Sequence, residues 1–183
     1  MLTTIYNKEQ TVFSFKELLM LDDVSDIKYL RQRINYYVKT GKLLNLRKGI
    51  YSKLNYNSEE LASKIYSPSY ISLEYVLRKE GIIFQYSGSI TCISYLSRDI
   101  KVTDNEISFS KIKNSILINT MGIRREKNGI NIATAERAFL DRLYLRGNVF
   151  SDFSEKLNKE ILFQLVKIYN SKTLVERIKK IYS

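Results

Sequence analysis

The sequence predicts an α+β protein in two units: three helices and a β-hairpin within residues 1–57, then a mixed helix-and-strand unit over 58–183 that ends in a helical tail. Three observations predict it. Apolar residues recur at helical spacing in "SDIKYLRQRINYYVKTGKL", two short apolar runs flank Arg47-Lys48-Gly49 in "LLNLRKGIYSKL", and beyond residue 89 apolar runs alternate in the manner of strands. A chain of 183 residues that is 44% hydrophobic can bury one core of ordinary size or two small ones.

Leu2 to Asn7 is short and mixed and reads as a first helix. In "SFKELLML" Ser14 supplies a cap, and Phe15, Leu18, Leu19 and Leu21 supply an apolar side for a second helix. A third helix begins near Ser25, which can cap it, with Asp26 where the helix dipole favours an anion and Gly41 as terminator. Ile27, Leu30, Ile34, Tyr37 and Val38 form its expected core face. The opposite face carries Lys28, Gln32, Asn35, Tyr36 and Lys39, with Arg31 at one border and Tyr29 and Arg33 at the other. Leu43, Leu44 and Leu46 read as a strand, Arg47-Lys48-Gly49 as the turn, and Ile50, Tyr51 and Leu54 as the returning strand. Three helices followed by a hairpin with a cationic tip make a winged helix-turn-helix, whose third helix enters the DNA major groove while the hairpin tip lies along the phosphates or in the adjacent minor groove.

The polar stretch "NYNSEE" marks the boundary between the units. Helices are expected at Ser58 to Tyr66 and Ser72 to Glu80, the second stopped by Gly81, with the only proline, Pro68, between them. Strands are expected near Ile90 to Tyr95, Ile100 to Thr103, Glu106 to Phe109, Ser115 to Asn119 and Gly122 to Glu126, and "KNG" turns the chain into Ile130 to Ala133. Thr134 caps a helix running to Leu145, with Glu136 in its first turn and Arg137 and Asp141 spaced to pair. Two terminal helices follow, about Glu155 to Tyr169 and Ser171 to Tyr182.

Charge sharpens the reading. The formal net charge is +11 and the pI near 9.6, which favours a polyanionic partner. The excess is local. From Ser25 to Lys53 the cations Lys28, Arg31, Arg33, Lys39, Lys42, Arg47, Lys48 and Lys53 face one acid, Asp26, whereas residues 1–24 are net acidic. A merely solvated helix would carry mixed-sign pairs four residues apart, and the third helix has no acid after Asp26. Lys28, Arg31, Gln32, Asn35, Tyr36 and Lys39 are therefore the candidate base-reading and phosphate-clamping set, with Arg47 and Lys48 at the wing tip. Arg124, Arg125 and Lys127 form a second cationic group at a hairpin. Contact with DNA, an RNA target or a protein partner stands beside an ordinary solvated turn for that group.

Other chemistries find less support. The lone Cys92 allows no internal disulfide and suits a reducing cytoplasm; with no His in the chain, neither a Cys/His nucleophile nor a zinc site is expected. No Gly-rich phosphate loop is present, no cofactor is implied, and no stretch reaches the roughly 18 apolar residues of a membrane span. Asp99-Ile100-Lys101 has the spacing used by metal-dependent nucleases, but the nearest upstream acids, Glu74 and Glu80, fall on an expected helix. The chain is not expected to be an enzyme.

Three segments, "VKTGKLLNLRKGIYS", "YISLEYVLRKEGII" and "NIATAERAFLDRLYL", resemble in order those of the AbiEi-like antitoxins of bacterial abortive-infection toxin–antitoxin systems. The resemblance implies a winged-helix domain over 1–57 that represses its own operon at inverted repeats, and a mixed α/β antitoxin domain over 58–183. It also implies a nucleotidyltransferase-like toxin as functional partner, opposed without a stable complex in many members. The residues leave two alternatives open: a plain regulator whose second domain binds a ligand or dimerises, and a nuclease built on Asp99 and Lys101.

Overall fold

The computed structural model of the chain describes residues 1–22, 26–84, 88–126, 128–147 and 156–182. It is a mixed α/β structure with two sheets. The first unit runs α1 (Leu2–Asn7), β1 (Val12–Ser14), α2 (Phe15–Met20), α3 (Ile27–Lys39), β2 (Leu44–Arg47) and β3 (Ile50–Ser52). Ser14 both ends β1 and caps α2, in a capping box closed by Glu17. Ser25 lies outside the described residues, and the cap of α3 is Asp26, whose carboxylate accepts from the Lys28 N–H at 2.8 Å. Leu30 and Ile34 of α3 are fully buried, as the periodicity requires, but Ile27 is 48% exposed because the helix starts a turn ahead of the core it packs on.

Strands β2 and β3 pair antiparallel, Leu44 with Ser52, Asn45 with Tyr51 and Arg47 with Ile50, around a bulge at Leu46. Arg47 is thus the last residue of β2 rather than part of the turn, which Lys48 and Gly49 make. Gly49 has φ +76, a conformation that side-chain-bearing residues adopt at a cost. The return strand stops at Ser52 instead of reaching Leu54. The sequence did not suggest β1, which pairs with β3 to complete a sheet of order β1-β3-β2.

The second unit comprises α4 (Ser58–Ile65), β4 (Ser69–Ile71), α5 (Leu73–Lys79), β5 (Ile90–Ser94), β6 (Arg98–Val102), β7 (Asn105–Lys111), α6 (Asn114–Leu117), β8 (Ile123–Arg125), β9 (Asn131–Ala133), α7 (Ala135–Arg146), α8 (Lys159–Leu165) and α9 (Lys172–Tyr182). Its sheet has the order β6-β7-β5-β4-β9-β8, with β5/β7 and β4/β9 parallel. Ser115 to Asn119, expected as a strand, instead holds most of the short helix α6 and the turn that ends it at Ile118. Its β-branched residues fit a strand, but the carbonyls of Ile116, Asn119 and Met121 are met by the Arg137 guanidinium at 2.8, 3.5 and 2.9 Å, which fixes a turn there. The tail helix expected from Glu155 begins at Lys159 and continues as a 3₁₀ turn to Tyr169; Glu155 lies outside the described residues.

Two apolar clusters organise the molecule. Ile5, Phe13, Leu18, Leu30, Ile34 and Leu43 form the smaller, within residues 1–57. The larger is built on the second sheet and its helices, and it includes Val12 and Ile50 from the first sheet. Alternation along β1 and β3 explains this. Phe13 and Tyr51 face the small cluster, and Val12 and Ile50 face the large one, so both faces of the three-stranded sheet are covered. Glu60 of α4, 1% exposed, seals the junction. One carboxylate oxygen accepts from Thr11 N, Thr11 Oγ1 and Val12 N at 2.6, 3.0 and 2.8 Å, and the other accepts from Asn128 Nδ2 at 3.0 Å. Tyr56, in the stretch between the units, hydrogen-bonds Thr103 and Asn105 at 2.8 and 2.9 Å.

Candidate nucleic-acid interface

Helix α3 owes its orientation to Leu30 and Ile34, and turning these inward leaves Lys28, Arg31, Gln32, Asn35, Tyr36 and Lys39 exposed together on the outer side. The structure therefore brings the whole expected set onto one surface. None of its cations forms an ion pair with a described acid, nor do Lys42, Arg47 or Lys48. Unneutralised charge held on a rigid helix is what a polyanion requires.

Two of the eight cations of this stretch are occupied elsewhere. Arg33 holds both carboxylate oxygens of Asp22 at 3.0 Å and lies 5.5 Å over the Tyr29 ring. Lys53 is 9% exposed and donates to the carbonyls of Tyr6 and Lys8. Both partners are distant in sequence or on the backbone, so local charge counting does not reveal them.

Phe15 joins the helix to the hairpin. Its N–H donates to the Gly49 carbonyl at 2.8 Å, and its ring lies beneath the Arg31 guanidinium at 5.4 Å. Arg31 and the hairpin turn are thus set by the same residue, a coupling that sequence pattern does not show. Lys42, 5.8 Å over the Tyr36 ring, extends the cationic surface past the end of α3.

The second cationic group lies apart, on β8 at the edge of the six-stranded sheet. Arg124 and Arg125 are exposed, but Arg124 pairs with Glu80 at 3.3 Å, and Lys127 lies outside the described residues.

Asp99 and Lys101 do lie on a strand, β6, and the neighbouring strand β7 adds Glu106 on the same face, which sequence reasoning overlooked. Ser108 donates to Asp99 at 2.6 Å and Lys101 pairs with Glu106 at 3.6 Å. Glu74 is committed to Arg142 and Arg146 at 2.9 and 2.5 Å. Among the described residues no three acids, cysteines or histidines gather to hold a metal.

Arg137 and Asp141 are fully buried at the centre of the second unit. Asp141 accepts from Tyr169, Ser72 and Tyr70 at 2.6, 2.8 and 3.0 Å and lies 3.4 Å from Arg137 Nε. Burial pushes the Asp141 carboxyl upward against the pull of the guanidinium and the three hydroxyls. The group is enclosed and saturated with partners, which makes it a structural centre. Burial also pushes the Cys92 thiol well above its ordinary range, so it is a poor nucleophile. A cleft of about 340 Å³ opens beside this region, lined by Tyr66, Pro68, Ile118, Asn119, Ile123 and Asn131 among others, with no charged side chain.

Among the described residues no helix is long and apolar enough to cross a membrane. No protein-family model matches the chain, and no curated protein matches it in sequence.

Proposed function

We propose that the chain is a cytoplasmic, non-enzymatic DNA-binding repressor of its own toxin–antitoxin operon and an antitoxin against a nucleotidyltransferase-like toxin. Residues 1–57 act as a winged helix-turn-helix and 58–183 as an AbiEi-like antitoxin domain. The observation that carries the DNA-binding part is the solvent-facing cationic side of α3 beside a β-hairpin with Lys48 at its turn. The order helix, strand, helix, helix, strand, strand, with β3 central in its sheet, supports the same reading. The antitoxin part rests on the resemblance of the three segments.

In this reading α3 lies in the major groove with Arg31, Gln32 and Asn35 at base edges, while Lys28, Tyr36, Lys39, Arg47 and Lys48 hold phosphates. Footprinting on the upstream region of its operon tests it. Arg31→Ala and Gln32→Ala are each expected to cost about 1–3 kcal/mol at the specific site only. Lys48→Ala should weaken all sequences alike and flatten the dependence of log K on log salt by about 0.9. Unchanged footprints in every variant would overturn the assignment. Co-expression of the full chain with the adjacent gene tests the antitoxin part, rescue of growth being the expected outcome and undiminished arrest the opposing one.

The uncharged cleft favours a second reading, a regulator whose C-terminal unit takes a neutral small ligand. In that case small-molecule extract freed of macromolecules would release the protein from its operator, and Asn119→Trp, which fills the cleft, would abolish the release.

A further inference from the structure

Ile27 is the first residue of α3 and 48% exposed, and it belongs to neither apolar cluster. It is flanked on the same exposed turn by Lys28, and by Arg31 one turn later, whose guanidinium Phe15 holds in place. An aliphatic group at the border of a face that carries two cations, neither ion-paired with a described acid, makes a poor docking point for an apolar protein surface, because burial would strip both charges of water. A DNA duplex fits both demands: phosphates meet the cations, and in the major groove the thymine 5-methyl is the apolar group that base edges present. The N-terminal residues of a helix in this position are the ones that reach base edges. One turn on, the exposed amides of Gln32 and Asn35 offer the donor-acceptor pair that matches adenine N7 and N6.

We infer that Ile27 is a specificity-determining residue that packs on a thymine 5-methyl group, so that the preferred half-site carries A·T pairs under the leading turn of α3. This rests on the DNA-binding reading of that helix. The side chain contributes to recognition by contact alone.

The test begins by selecting duplexes from a random pool with the full chain. Each thymine of a selected duplex is then replaced in turn by deoxyuridine, which removes the methyl group and keeps the base pairing. At one position per half-site the wild-type Kd is expected to rise about fourfold, the effect of one methyl group withdrawn from contact. Ile27→Ala should bind the thymine and deoxyuridine duplexes equally, at the weakened affinity. Wild-type binding that is indifferent to every replacement would overturn the inference while leaving DNA binding standing, as would an Ile27→Ala variant that keeps the full thymine preference. Failure to select any duplex would overturn the DNA-binding reading, and this inference with it.

Discussion

Arg137 anchors the buried polar cluster at the centre of the second unit. Its guanidinium serves three carbonyls of the α6 region as well as Tyr70 and Asp141, with Ile116 O, Tyr70 and Asp141 buried and the Asn119 and Met121 carbonyls half-buried. Arg137→Ala would leave those carbonyls without the guanidinium and the buried Asp141 carboxylate with its three hydroxyl donors but no counter-charge, and a loss of about 3–5 kcal/mol is expected in urea unfolding. Asp141→Asn, which keeps the shape and loses the charge, should cost less. Gly122 lies against the same side chain: a Cβ there would stand 2.9 Å from Arg137 Cβ, and the residue has φ +73. Gly122→Ala should therefore lower stability by about 1–3 kcal/mol, although alanine ordinarily stabilises an unstrained position.

At the scale of elements, α2 shows how the units hold each other. Burial raises the Glu17 carboxyl, but the Lys64 ammonium and the Ser14 N–H and hydroxyl outweigh that effect, leaving it below its ordinary value of 4.5. A lowered carboxyl stabilises the fold above the unfolded value, and the contribution disappears as pH falls through the folded one. Glu17→Gln keeps the capping box and removes the charge. It should cost about 0.5–1 kcal/mol at neutral pH, with the gap from wild type closing as pH falls below 4.5.

The same scale shows what could be read in the sequence. Helix α3 was legible because thirteen residues repeat an apolar period, and its exposed candidate face followed from that period. β1 and β4, of three residues each, have too little length to show a period and exist through their pairing with β3 and β5. α6 reads as a strand because the side chain that settles its carbonyls comes from α7, beyond any local window. Ile27 looked like core because periodicity gives the face of a helix and says nothing of how far along it the neighbouring elements reach. Arg33 and Lys53 counted as free cations because their partners lie far along the chain or on the backbone.

For the whole molecule, Glu60 and the sheet packed on both sides join the two units, and cooperative unfolding is the expected consequence. The expected result is a single calorimetric transition whose van't Hoff and calorimetric enthalpies agree. Glu60→Ala leaves the buried Val12 N–H and the half-buried Thr11 N–H without their acceptor, a loss of about 1–3 kcal/mol. Two resolved transitions in the variant would locate the coupling at this carboxylate. A wild type that already melts in two steps would refute it.

Because β1 shows Phe13 to one interior and Val12 to the other, neither half is a detachable cassette. Grafting a foreign N-terminal unit onto residues 58–183 would demand that the donor also bring an aliphatic plug at the places of Val12 and Ile50 and backbone donors for Glu60. On the proposed DNA-binding reading, target sequence would change by point substitutions on the outer side of α3, since swapping residues 1–57 whole would open the interior of the other half.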